Sequence, residues 1–258
     1  MKIHVLGGEG FVGSAFVREG RKRGHAIEAI TRKNYDRFRG KKCDLLINAN
    51  GNSKKFLAEQ DPAKEFDASV ASVQRSLLDF PCGRYVYLSS IDVYPRVDRS
   101  KCNHERARIR PEQLSLYGLH KFLAEQIVRR YVPRWLIIRL GGMVGEHLWK
   151  NSIHDILHGQ PLRVHVESKY QYMNTNEVAR VVLALVRMCP ANDVFNVCGD
   201  GCISLREVAS LVPVRGLRYA TNNPRKERYQ ISVAKLRAWM KVPSTRSTVR
   251  DFIRRQLP

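Results

Sequence analysis

The chain has 258 residues, enough for one large domain or a domain with an appendage. At 43% hydrophobic and 27% charged it carries ample apolar material for a core, which excludes collagen-like, low-complexity and coiled-coil readings. Lys and Arg number 45 against 24 acids, a formal net charge of +21, so its field attracts anions: nucleic acid, acidic lipid or a phosphorylated small molecule.

Residues 2–6 read as a buried strand, followed by a glycine turn and a helix through about residue 23. Gly24 ends that helix and residues 26–30 form the next strand. A third strand covers 44–48, a helix 62–79, a strand 84–89, a helix 114–131 and a strand 134–140. Strand–helix alternation predicts a parallel sheet covered on both faces, with binding at the carboxyl ends of the strands. Beyond Gly145 the rhythm loosens into a helix at 176–188, a short strand at 194–197 and helices at 204–211 and 232–240. The pattern predicts an α/β, Rossmann-type doubly wound sheet over residues 1–145. A small C-terminal cap then covers 146–258, with segments of the two free to interleave.

No apolar run reaches the roughly 20 residues of a membrane helix. The N-terminus lacks the pattern of a signal peptide, which predicts a cytoplasmic protein. Six cysteines form no CxxC; Cys198 and Cys202 stand as a CxxxC without a pair to complete a zinc site, so reduced thiols and no metal are expected. The eight histidines form no HExxH array, and His120 receives no role. Between residues 214 and 258, twelve basic residues face only Glu227 and Asp251, close to half of the whole surplus.

Gly7-Gly8-Glu9-Gly10-Phe11-Val12-Gly13 follows the first strand and opens a helix. Glycines at 7, 10 and 13 permit a tight turn, a close approach of backbone to a pyrophosphate, and packing of helix on strand. The second strand ends Ile30-Thr31-Arg32-Lys33, without the carboxylate that grips a free adenosine ribose. Arg32 and Lys33 suit a 2′-phosphate, so NADP is preferred and NAD comes second. The loop of Asn50, Gly51, Asn52, Ser53, Lys54 and Lys55 follows another strand end, where two lysines could meet a phosphate or sugar. Tyr117 and Lys121 share one face of a helix, where an ammonium beside a phenol would lower the phenol's pKa. Ser89-Ser90-Ile91-Asp92-Val93-Tyr94 ends a strand 27 residues before Tyr117 (counted from Ser90) and offers a hydroxyl for the same substrate oxygen.

With these pieces the chain resembles the extended short-chain dehydrogenase/reductase family of nucleotide-sugar epimerases, dehydratases and reductases. GxxGxxG at 7–13, SSxxVY at 89–94 and YxxxK at 117–121 stand in the family's order, and weaker matches follow at 172–179, 195–199, 204–209 and 231–243. The resemblance implies Tyr117 as acid/base, Lys121 as the holder of the nicotinamide ribose, and Ser90 as the group orienting the reacting hydroxyl or carbonyl. It also implies that Asn48, Ala49, Asn50 and Gly51 line the cofactor alongside Gly7, Gly10, Phe11, Val12 and Gly13. A homodimer is the family's habit.

Some positions depart from the family. Its helix asparagine, which supports the lysine through water, aligns with Ser69, so the proton relay is altered. Its RxxN reads Arg139-Leu140-Gly141-Gly142. Thirteen residues (31–43) between the second and third strands are too few for the usual helix–strand insert. The leading expectation is an NAD(P)-dependent oxidoreductase or epimerase of a nucleotide-linked sugar, an anionic small molecule, with dehydration last because Asp92 stands alone. The rival is a nucleic-acid-binding protein on a retired dehydrogenase scaffold. It ranks below, because no RRM, KH or aromatic–basic signature accompanies the charge.

Overall fold

The computed structural model describes residues 1–52, 55–190, 192–213 and 216–256; Ser53 and Lys54 of the lysine-bearing loop lie outside them, as do Val214 and Arg215 of the basic region. In chain order the elements begin with β1 (Lys2–Leu6), α1 (Gly13–Lys22), β2 (Ala26–Ile30), α2 (Tyr35–Phe38) and β3 (Cys43–Asn48). They continue with α3 (Lys55–Gln60), α4 (Pro62–Phe66), a π-helical segment (Asp67–Ala71), α5 (Ser72–Asp79) and β4 (Cys82–Ser90). Next come α6 (Leu116–Tyr131), β5 (Trp135–Leu140), β6 (Gly142–Val144), α7 (Ser152–Leu157), β7 (Lys169–Tyr170) and β8 (Tyr172–Asn174). The last are α8 (Thr175–Met188), β9 (Asp193–Val197), β10 (Ile203–Ser204), α9 (Leu205–Ala209), α10 (Ala234–Trp239) and α11 (Thr245–Arg254).

Contacts divide the chain into two compact units. The first comprises residues 1–95, 108–140 and 176–195; the second comprises 96–107, 141–175 and 196–258.

The first unit is organised by a six-stranded sheet in the order β2-β1-β3-β4-β5-β9. The pairs β1–β2, β1–β3, β3–β4 and β4–β5 are all parallel. This is the Rossmann-type α/β fold that strand–helix alternation predicts. The chain runs from β1 to β2 on one side and crosses to β3 on the other. The carboxyl ends of β1 and β3 therefore flank a topological switch point, where ligands bind in such sheets. The four-residue α2 is all that the chain places between β2 and β3, so among the described residues β2 is an edge strand of the sheet. Strands β3, β4 and β5 are buried almost throughout, as strands covered on both faces must be. One side of the sheet packs Leu6, Ile30, Leu46, Tyr85, Tyr87 and Ile137 against Val73, Phe80, Ala124 and Val128 of α5 and α6 and their surroundings.

The second unit has its own core, in which Val144, Ile153, Tyr172, Leu205, Val249 and Phe252 pack together. Two small sheets, β6–β8 and β7–β10, belong to it. No helix among the described residues is long and apolar enough to cross a membrane.

Two local features differ from the periodicity. The helix expected over 62–79 is interrupted by the π-helical turn around Ser69. There Ser72 Oγ donates to the Ala68 carbonyl at 2.6 Å, the kind of back-bonding that distorts a helix. Helix α6 starts at Leu116 rather than 114, because the Ser115 side chain accepts from Gly118 N–H and caps it.

Candidate active site

The glycine turn follows from contacts that leave no room for side chains. Gly7 has φ +74°, and a Cβ there would stand 3.1 Å from the Ala49 carbonyl oxygen; at Gly13 it would stand 2.0 Å from the Gly7 oxygen. Gly7 N–H donates to the Ile30 carbonyl at 2.8 Å and Gly10 N–H to the Gly7 carbonyl at 2.9 Å, tying the turn to β2. Helix α1 starts at Gly13 with no side-chain cap at Val12; the Ser14 and Ala15 amides donate to the Gly10 and Val12 carbonyls at 2.9 and 3.1 Å, and the positive end of the helix dipole lies at the turn. Phe11 and Val12 are half-buried there. The turn fits a dinucleotide pyrophosphate.

At the end of β2, Arg32 and Lys33 are exposed and bond no other described residue. The turn that carries them is built by Asn34, whose Oδ1 accepts from Thr31 N–H at 2.7 Å while its Nδ2 donates to the Ala29 carbonyl at 3.0 Å. At the end of β3, Asn48 is wholly buried. Its Nδ2 donates to the Tyr85 hydroxyl at 2.7 Å and to Ser76 Oγ at 3.3 Å, and its Oδ1 accepts from Asn50 N–H at 2.9 Å. Its side chain thereby shapes the strand end from beneath. Ala49 is half-buried and Asn50 exposed at that end.

The structure brings Ser90, Tyr117 and Lys121 together at the carboxyl end of β4. They are 8%, 7% and 5% exposed. Lys121 Nζ lies over the rings of Tyr87 and Tyr117, 5.6 and 5.9 Å from their centroids, and a Cβ at Gly51 would come within 3.2 Å of it. Burial pulls the Lys121 ammonium down to about 8, against the opposing pull of Glu65, Asp92 and Glu125. The Tyr117 phenol is pushed well up, first by burial and then by the charge of Asp92, while Lys55 and hydrogen bonding by Ser90 act the other way. This corrects the expectation drawn from the helix spacing. Lys121 Nζ lies 5.9 Å from the centre of the Tyr117 ring, and burial outweighs the cations nearby, so the phenol is raised rather than lowered.

Asp92 and Lys55 complete the cluster. Ser90 Oγ donates to Asp92 Oδ2 at 2.7 Å, and Lys55 Nζ donates to Asp92 Oδ1 at 2.7 Å. Sequence reasoning left this pair unassigned, because its members lie 37 residues apart with no periodic signal. Four residues beyond Lys121, Glu125 is wholly buried and bound by Arg139 through both oxygens at 2.9 and 2.7 Å; Ser89 also donates to it at 2.6 Å. Arg139 reaches the Tyr94 hydroxyl at 2.9 Å as well. This buried fork fixes α6 against β4 and β5, and with it Tyr117 and Lys121. Gly142 has no room for the family's asparagine: a Cβ there would stand 2.7 Å from the Gln171 carbonyl oxygen. No group of three or more His, Cys, Asp or Glu among the described residues could hold a metal ion.

A glycine turn at the switch point, with a buried Ser–Tyr–Lys set two strands away, is the arrangement of a nucleotide-dependent oxidoreductase. Residues 3–198 match the NAD dependent epimerase/dehydratase family, and the chain belongs to it. No curated protein sequence matches the chain. Among solved structures it is similar to dTDP-4-dehydrorhamnose reductase from Bacillus anthracis in complex with NADP, at 16% identity over 99% of both chains with a TM-score of 0.81. It is also similar to UDP-glucose 4-epimerase of Thermus thermophilus in complex with NAD, at 18% identity over 98% of both chains and a TM-score of 0.81. A UDP-glucuronic acid 4-epimerase variant from Bacillus cereus, with NAD and a fluorinated UDP-sugar, matches at 14% identity over 100% of both chains and a TM-score of 0.78. At these identities the likeness shows the shared fold.

Proposed function

We propose that the protein is an NADP-preferring oxidoreductase or epimerase acting on a nucleotide-linked sugar, with Tyr117 as its acid/base. The observation that supports this best is the joint burial of Ser90, Tyr117 and Lys121 at one strand end of the sheet that also carries the glycine turn. Family membership and neighbours in complex with NADP or NAD support the cofactor class. Gly7, Gly10 and Gly13 would hold the pyrophosphate, Arg32 and Lys33 a 2′-phosphate, and Lys121 the nicotinamide ribose. The bound nicotinamide supplies or accepts a hydride. The Tyr117 hydroxyl donates its proton to a developing alkoxide in reduction and recovers it in oxidation. Ser90 fixes the orientation of the reacting oxygen, and positioning contributes much of the acceleration. The second unit would form the cap that takes the nucleotide.

The test has two arms. In a thermal shift, NADP(H) should raise the melting midpoint more than NAD(H) at equal concentration, since a ligand stabilises by RT ln(1 + [L]/Kd). Turnover is then followed by nicotinamide absorbance or by product sugar, with UDP-glucose, UDP-glucuronic acid and dTDP-4-dehydrorhamnose as probes. A protein that no nicotinamide nucleotide stabilises would refute the reading. The nucleic-acid-binding alternative rests on the +21 charge and the basic C-terminal region, and tight filter binding with a steep salt slope is its signature.

A further inference from the structure

In the second unit two distant stretches of chain run side by side as a ribbon. Leu162 bridges Tyr219, Val164 bridges Arg225 and Lys169 bridges Arg228, all in parallel. Backbone bonds join them: Leu162 N–H donates to the Arg218 carbonyl at 2.8 Å, His165 N–H to the Arg225 carbonyl at 3.0 Å and Lys169 N–H to the Glu227 carbonyl at 2.9 Å. This pairing gathers Arg163, Lys169, Arg218, Arg225, Lys226 and Arg228, every one of them exposed. Among the described residues none of these cations forms an ion pair. Arg218 donates to the Gly159 carbonyl and Arg228 to the Gln230 side chain. The ribbon's two acids are engaged elsewhere, Glu167 by Arg206 and Glu227 by the Tyr170 hydroxyl, which donates to it at 2.8 Å. Such uncompensated cations repel one another and attract a polyanion.

An aromatic platform lies among them. Tyr219 is 38% exposed, and its ring runs nearly parallel to that of His165, with 6.1 Å between centroids and 14° between planes. His165 is fixed in turn, its Nδ1 accepting from the Glu167 N–H at 3.1 Å. Tyr219 is the one large apolar side chain exposed among the described residues of the ribbon, so it offers a flat ring and no aliphatic wedge for a lipid layer. Cations that track a phosphate backbone, beside a ring on which a base stacks, are the two parts of a surface for single-stranded nucleic acid.

We propose that this ribbon binds single-stranded nucleic acid, a property additional to the catalytic one: Arg225, Lys226 and their neighbours hold phosphates, and Tyr219 stacks a base. The interleaving of aromatic and basic residues that the linear sequence lacks is assembled by pairing residues 162–169 with 218–229. Neither cofactor nor sugar plays a part in it.

The test is a fluorescence-anisotropy titration of the full chain against a labelled oligouridylate of about 12 nucleotides, repeated at salt concentrations from about 50 to 200 mM. The native protein should bind with an affinity that falls steeply as salt rises. Arg225→Ala combined with Lys226→Ala should weaken binding about tenfold or more and flatten the slope of log K against log salt by about 1.4, since each phosphate contact to a single strand contributes about 0.7. Tyr219→Ala should weaken binding at least about fivefold with the salt slope unchanged, while Tyr219→Phe should bind as the native protein does, because either ring stacks a base. Arg21→Ala combined with Arg23→Ala removes the same charge from exposed positions of the first unit and should change affinity by less than about twofold. Equal losses in the two double variants would overturn the proposal, because a diffuse field would then be doing the binding. So would indifference to Tyr219, or displacement of the oligonucleotide by UDP-glucose, which would assign the ribbon to the nucleotide sugar. Binding to phosphatidylserine vesicles without binding to the oligonucleotide would overturn it in favour of a membrane surface. Failure of NADP(H) to stabilise the protein would refute the proposed catalytic function and leave this result untouched.

Discussion

Ser90 Oγ donates to Asp92 Oδ2 at 2.7 Å, which holds that carboxylate within the electrostatic reach of the Tyr117 phenol. The charge on Asp92 raises the Tyr117 phenol and that on Lys55 lowers it. The two single variants should therefore move the Tyr117 limb of the pH–turnover profile in opposite directions. Asp92→Asn should shift that limb to lower pH and Lys55→Met to higher pH, with NADPH affinity changed by less than about twofold in either. Shifts in the same direction would show that the pair does not act on Tyr117 electrostatically.

Gly10 and Gly13 are separable. A Cβ at Gly13 would meet the Gly7 carbonyl oxygen at 2.0 Å, backbone against backbone, so Gly13→Ala should destabilise the fold by about 3 kcal/mol or more. At Gly10 the same atom would stand at 3.1 Å, close but tolerable. Gly10→Ala should keep stability within about 1–2 kcal/mol while weakening NADPH binding about tenfold. Denaturant melts and fluorescence titrations read the two quantities independently.

Arg32 and Lys33 stand exposed at the end of β2 with no described partner to release. Replacing both with alanine should therefore cost little stability. Each well-formed charge-assisted bond to a 2′-phosphate is worth roughly 1.5–3 kcal/mol. The double variant should lose NADP affinity and retain NAD affinity in a calorimetric comparison, and equal losses would remove these residues from cofactor selection.

His4 lies wholly buried in β1 between Phe38 and Phe80, and neither ring nitrogen has a hydrogen-bond partner. Burial holds its pKa below 6.5. As pH falls through 6.5 the unfolded chain takes up a proton that the folded one refuses, so stability is lost until the folded value is passed. His4→Phe removes that penalty and an unsatisfied buried group. Its melting midpoint should be higher at neutral pH and should decline less between about pH 6.5 and 5 than that of the native protein. An unchanged acid slope would show that other groups set the acid limit.

The glycine turn, the parallel strands around it and the Ser90–Tyr117–Lys121 spacing were legible because each is a local pattern with one geometric solution. Asn48 shows where such reading stops: its place at a strand end was visible, but its bonds to Tyr85 and Ser76 depend on packing between β3, β4 and α5. The Asp92–Lys55 and Glu65–His120 pairs join residues 37 and 55 apart, and such long-range side-chain pairing has no sequence period. Helix α11 was not among the expected elements although Val249, Phe252 and Ile253 give it a buried stripe, because β-branched residues and closely spaced arginines weaken its helical signal.

The central claim is that Tyr117 moves the proton in a nicotinamide-dependent reaction at the end of β4. Tyr117→Phe keeps the buried ring and deletes only the hydroxyl, so the decisive measurement is its turnover with a nucleotide sugar that the native protein accepts, alongside its NADPH affinity. The account predicts that kcat falls by roughly 10²–10⁴-fold while NADPH binding stays within about twofold. Turnover equal to that of the native protein, with NADPH bound equally well, would contradict it.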